Sequence, residues 1–147
     1  MAIVKLTMPV LVFAATMIGP AEVARADTEY HFQSPSGAIG CWLGDVFNGG
    51  VECDVADYTY ALPPRPADCP ANVVHFGDRF TLMPGQAPVM SCHGDTVIVP
   101  GEMQTLNYGQ KMSLGPISCD SEPVGMICTD ASTGHYFRAA RDSYELH

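Results

Sequence analysis

Positive charge is scarce in this chain: seven Lys and Arg stand against sixteen Asp and Glu in 147 residues, a formal net charge of -9. Such a balance repels nucleic-acid phosphates and anionic headgroups, which excludes nucleic-acid binding and polybasic membrane attachment. Long apolar runs are also missing. The longest, Leu6 to Ile18, is about 13 residues, short of the ~20 that span a bilayer core. No window of twelve residues carries a sustained 3.6-residue apolar period, so helices are not expected. Charged residues make up only 16% while 47% are hydrophobic, too apolar for a disordered chain, and Gly and Pro are scattered rather than periodic as in collagen. No serine sits in a Gly-x-Ser-x-Gly elbow, and no Asp-x-Asp-x-Asp-Gly calcium loop occurs. Cysteines spaced two to four residues apart, as zinc sites bring them, are absent too, the closest pair being Cys119 and Cys128.

What is present begins with an address. Lys5 precedes the apolar run, Gly19 and Pro20 break it, and Val23, Ala24, Arg25, Ala26 put small residues at the two subsites that a signal peptidase reads. Residues 1–26 are therefore expected to be a signal peptide cleaved before Asp27, and residues 27–147 a single disulfide-rich β domain, secreted or held in the cell envelope. No cysteine lies near the cleavage site to carry a lipid, and no transmembrane segment is expected after removal.

Cys41, Cys53, Cys69, Cys92, Cys119 and Cys128 all lie after that site, and an even number in an oxidising compartment reads as three disulfides. Six cysteines allow 15 pairings. Their flanks narrow the choice, because Gly37, Ile39, Cys41 followed by Gly50, Val51, Cys53 parallels Gly115, Ile117, Cys119 followed by Gly125, Met126, Cys128. Each unit reads as a disulfide-linked hairpin, which leaves Cys69 for Cys92. Period-2 patterns put Ile39 with Cys41, Val51 with Cys53 and Val55, Ile117 with Cys119, and Met126 with Cys128 on inward faces. Further strands are expected at Tyr30 to Gln33, Arg79 to Met83, Val89 to His93, Thr96 to Val99, Thr105 to Tyr108, Lys111 to Leu114 and His135 to Ala139, separated by Gly, Pro, Asn and Asp turns. The stretch Leu62 to Pro70 holds four prolines and reads as an extended connector tied down by Cys69. The expected fold is all-β, a small disulfide-stapled antiparallel sandwich or barrel with two related hairpin units.

Several short motifs recur as a set: Phe32, Ser34, Pro35, Ser36, Gly37, Ile39 and Cys41; Val51, Cys53 and Asp54; Pro64, Arg65, Pro66, Asp68 and Cys69. Cys92, Gly94, Asp95, Thr96 and Val97 follow, then Leu106, Tyr108 and Gly109, and finally Thr133, Gly134, His135, Phe137, Arg138 and Tyr144. Together they resemble a family of small exported bacterial proteins, common in mycobacteria and other actinobacteria, whose function is uncharacterised. The resemblance implies secretion and the disulfide framework and supplies no reaction. Similar proteins tend to carry Trp before the glycine matching Gly77, where this chain has His75 and Phe76, so no role is carried over to that loop.

Candidate chemistry is thin. His93 beside Asp95 and His135 after Gly134 are the acid/base candidates, yet strand alternation turns His93 away from Cys92, outward, where a lone histidine is solvated. His31, His93, His135, Asp54, Asp95 and Asp130 offer metal-ligand types, but no two histidines share helix or ribbon spacing. Arg138 and Arg141 are expected to pair with nearby acids, with carboxylate-ligand binding the alternative role. Tyr58, Tyr60, Tyr108, Tyr136, Tyr144, Trp42 and Phe47 supply possible anchors, Trp42 alternating away from Cys41 and Phe47 sitting in the first hairpin loop. By elimination the chain reads as a non-catalytic binding or inhibitor-like module, monomeric, without metal or cofactor. Its partner is an unknown protein or small molecule, and the binding candidates are Trp42, Phe47, His93, Asp95, His135 and Arg138. Two rivals stand beside it: a hydrolase using His93 or His135 with nearby carboxylates, and a structural envelope component.

Overall fold

The computed structural model describes residues 28–45, 48–72 and 74–147. The expected leader and Phe47 lie outside the described residues. Among the described residues eleven strands form two sheets. The first contains β1 (Glu29–Gln33), β2 (Ile39–Gly44), β3 (Gly50–Val55), β4 (His75–Leu82), β5 (Val89–His93) and β6 (Gln104–Thr105), in spatial order β5-β4-β3-β2-β1-β6. The second contains β7 (Lys111–Leu114), β8 (Ile117–Glu122), β9 (Gly125–Asp130), β10 (Tyr136–Ala139) and β11 (Tyr144–Leu146), in order β11-β10-β9-β8-β7. All pairings are antiparallel except β1 with β6. Both sheets have free edges, so the fold is a sandwich and not a closed barrel.

The two hairpin units recognisable in sequence become one hairpin per sheet. In the first sheet Phe32, Cys41, Cys53 and Phe80 lie directly opposite one another across β1, β2, β3 and β4. In the second, Met112, Cys119, Cys128 and Phe137 make the same kind of row across β7, β8, β9 and β10. All but Met112 are fully buried. The rows face each other: Sγ of Cys53 touches Sγ of Cys128 at 3.9 Å, and the rings of Phe80 and Phe137 stack at 5.8 Å between centroids. The bridges are Cys41–Cys53, Cys69–Cys92 and Cys119–Cys128, with no free cysteine. Two of them form the centre of the core.

Most expected strands form close to their expected limits, and three differ. β4 begins at His75 rather than Arg79, because a register shift between those residues and the positive φ of Gly77 (117°) break the alternation on which the expectation rested. Thr105 to Tyr108 shortens to Gln104–Thr105. Thr96 to Val99 makes no strand, although its β-branched run suits one. Its N–H groups go to side chains instead: Val97 N donates to Asp54, Ile98 N to Thr96 Oγ1 and Val99 N to Met103 Sδ. Residues 94–103 thus form a strap over the outer face of the first sheet, from β5 at one edge to β6 at the other. Gly40 leaves room for it, since a Cβ there would lie 2.8 Å from Ile98 and 3.0 Å from Met103. Among the described residues no helix is long and apolar enough to cross a membrane.

Candidate functional site

The strap hangs on one buried ion pair. Asp54 on β3 and Arg79 on β4 are register partners on the outer face. Arg79 Nε and Nη2 donate to the two Asp54 oxygens at 2.7 and 3.0 Å. Nη2 also reaches the Asp95 carbonyl at 2.9 Å, while Nη1 meets Asp95 Oδ1 at 3.4 Å and Glu52 Oε2 at 3.3 Å. Asp54 Oδ2 accepts from Thr96 Oγ1 and Val97 N as well. Burial opposes ionisation of Asp54, but the hydrogen bonds from Arg79, Val97 and Thr96 and the Arg79 charge outweigh it and hold its carboxyl below the ordinary value. Burial acts against the Arg79 charge too, and Asp54 reverses it. For Glu52 burial prevails over Arg79 and pushes the carboxyl up. The guanidinium makes four hydrogen bonds, to Asp54 and Asp95, and pairs with Glu52 as well, so the network holds the strap in place.

Beside it lies a cleft lined by His75, Asp78, His93, Gly94, Asp95 and Thr96. His93 points away from the sandwich core, as strand alternation demands, but it is not solvated: its exposure is 7% because the strap turns over it. Nor is it alone. His75 lies directly opposite on β4, with ring centroids 5.6 Å apart, a cross-strand histidine pair that the bulged β4 concealed in the sequence. His93 Nε2 bonds Asp78 at 2.8 Å and Nδ1 bonds the Asp95 carbonyl. Both ring nitrogens therefore lie against oxygens of the protein itself, which fixes the ring in place. Among the described residues no group of three or more His, Cys, Asp or Glu could hold a metal ion.

The other binding candidates are dispersed. Trp42 stacks on His31 at 4.8 Å on the outer face of the first sheet. His135 precedes β10 and contacts the His147 carbonyl through Nδ1 at 3.2 Å; it does not line the His93 cleft. Arg138 lies on the outer face of the second sheet, bonded to Glu145, Val124 O and Ser143. Arg141 bonds the Asp57 carbonyl rather than an acid.

The ends of the sandwich differ. At one, Asp130 is fully buried and joins the sheets. Its Oδ2 accepts from Gly85 N, in the β4–β5 turn, at 2.6 Å, and its Oδ1 accepts from Ser132 N and Oγ at 2.8 and 2.6 Å. The Ser132 hydroxyl, the Gly85 N–H and the Ser132 N–H outweigh burial and bring its pKa down to about 2.

At the other end four turns surround an open pocket of about 200 Å³. They are the β1–β2 turn with Ser34 and Ser36, the turn bearing Tyr108, the β8–β9 turn with Glu122, and the β10–β11 turn with Arg141 and Asp142. Backbone bonds fix these walls: Gly109 N to Ser121 O, Thr59 N to Arg141 O, and Ser34 N to Ile39 O. Gly125 is required here, since its φ is 134° and a Cβ would lie 2.4 Å from the Ala139 carbonyl oxygen.

The polar groups of this pocket are not used up. Ser36 Oγ accepts from Ala38 N, Ser34 Oγ accepts from Ile39 N, and the two hydroxyls lie 3.2 Å apart. Only one can donate to the other, so one O–H of the pair has no acceptor among the described residues. Arg141 spends Nε and Nη2 on Asp57 and keeps Nη1. Tyr108 is 53% exposed. A groove containing Val124 and Arg138 adjoins and shares Pro123, Ala140 and Asp142 with the pocket. Of the five binding candidates read from sequence that are among the described residues, only Arg138 borders it. Tyr108 and Arg141 were visible as an aromatic and a cation, but no local pattern shows that four turns far apart in sequence meet.

The chain belongs to a family of unknown function, DUF6636, whose model matches residues 11–147. No curated protein and no solved structure matches it.

Proposed function

We propose that this member of the family is an exported, non-catalytic binding module that works outside the cytoplasm and takes its ligand in the pocket at the open end of the sandwich. The observation carrying this reading is the contrast in polar satisfaction between the ends of the sandwich: the Asp130 carboxylate is fully engaged by its donors, whereas the pocket keeps a serine hydroxyl, an arginine nitrogen and an exposed tyrosine for a partner. Pocket walls fixed by backbone bonds on a stapled sandwich lose little freedom on binding, so the contacts made are available as affinity. Three disulfides accord with an oxidising compartment, and residues 1–26 have the layout of a cleaved address.

The test is to express the full chain in a host that exports it and follow the protein recovered outside the cell. Its mass should correspond to a start at Asp27 with six hydrogens fewer than the reduced form. Incubated with washed cell envelopes of that host, it should sediment with them, and Tyr108→Ala, which alters an exposed ring, should release about tenfold more protein. A leader still attached, or no retention of either protein, overturns the reading.

A further inference from the structure

The pocket has a chemistry that narrows its ligand. Its lining carries two carboxylates, Glu122 and Asp142, against one guanidinium, Arg141, so a phosphate or free carboxylate meets net repulsion. A wholly apolar ligand would bury the remaining Ser34/Ser36 hydroxyl and the Glu122 carboxylate without partners, which costs free energy. The volume, about 200 Å³, is below the ~300–1,000 Å³ of sites for drug-sized molecules and admits about one six-membered ring. The lining thus combines donors (the serine O–H, the Arg141 nitrogen, the Tyr108 O–H) and acceptors (the two carboxylates) with the exposed aromatic ring of Tyr108.

A body with an apolar C–H face and a belt of hydroxyls, each both donor and acceptor, matches that arrangement. We infer that the pocket binds a single pyranose unit of a glycan, its C–H face on Tyr108 and its hydroxyls shared between Arg141, Glu122 and the Ser34/Ser36 pair. The adjoining groove with Val124 and Arg138, of about 540 Å³, gives the next sugar of a chain a place to lie. This inference rests on the binding-module reading and specifies the ligand class at that site.

The experiment is amide-resolved NMR of the disulfide-intact protein titrated separately with glucose, galactose, mannose, arabinose and N-acetylglucosamine, with methylammonium chloride and sodium phosphate as controls. At least one sugar should shift the amides of Ser36, Tyr108, Gly125 and Arg141 in a saturable way at millimolar concentration, the ordinary strength of a one-ring contact. Tyr108→Ala should weaken it about tenfold, and Glu122→Gln should weaken it while leaving the remaining spectrum unchanged. Absence of shifts with every sugar, shifts outside the pocket, or the same shifts with methylammonium or phosphate alone would overturn the glycan assignment. Retention on envelopes without sugar-induced shifts would remove this inference and leave the binding-module reading standing; loss of both would remove that reading as well.

Discussion

The two ends of the sandwich solve the same problem differently. Each must terminate strands from both sheets in turns whose N–H and C=O groups lack ladder partners. At the closed end the carboxylate of Asp130 gathers donors from the β4–β5 and β9–β10 turns and ties the sheets together. At the open end backbone bonds within and between the turns hold them, no buried carboxylate spans them, and side-chain groups remain facing a cavity. The difference teaches that two kinds of polar group are separated along the strand axis: those committed to holding the fold are buried, and those left over are collected where the sheets part.

The largest effect expected tests whether a carboxylate shared among neutral donors, as at Asp130, matters as much as one held by a charge. Arg79→Met leaves Asp54 buried and unpaired under the strap, and urea unfolding should show a loss of about 3–5 kcal/mol. Should the loss stay near zero, the strap does not depend on the ion pair. Next, Asp130→Ala strands the Gly85 and Ser132 donors and should cost about 2–3 kcal/mol, while Glu122→Ala at the open end should stay within ~0.5 kcal/mol. Equal costs at the two ends would break the comparison.

The smallest effect is in pH. Asp130 sits at about 2, below the ~3.9 of an unfolded Asp, so the unfolded state takes up its proton first as pH falls. The stabilisation is therefore complete above about pH 4 and is lost as pH drops through about 2. Asp54, also lowered, acts in the same direction. Thermal melts between pH 6 and 2 should show a shallower acid slope for Asp130→Asn than for the parent, and parallel slopes would place the acid sensitivity elsewhere.

Much of the core was legible because it obeys local rules. The parallel flanks of Cys41, Cys53 and of Cys119, Cys128 gave the bridges that the structure contains, and the period-2 pattern placed Val51, Ile117 and Met126 inside. The candidate site was less so. His93 was read correctly as pointing away from the core and wrongly as solvated, because a crossing segment cannot be seen from the strand it covers. Thr96 to Val99 looked like a strand for the same reason: its composition suits a sheet, while its position decides that its amides meet Asp54 and Thr96 side chains instead of a neighbouring backbone.

Alternation, turn residues and cysteine spacing are properties of neighbours along the chain, and they suffice for an all-β body, its stapled hairpins and the paired rows of its core. Which hairpin faces which, that Asp54 and Arg79 become register partners, and that Ser34, Tyr108, Glu122 and Arg141 surround one cavity depend on contacts between segments dozens of residues apart. Those contacts arise only when two apolar faces bury each other, and the resulting packing brings distant turns to the same end of the sandwich.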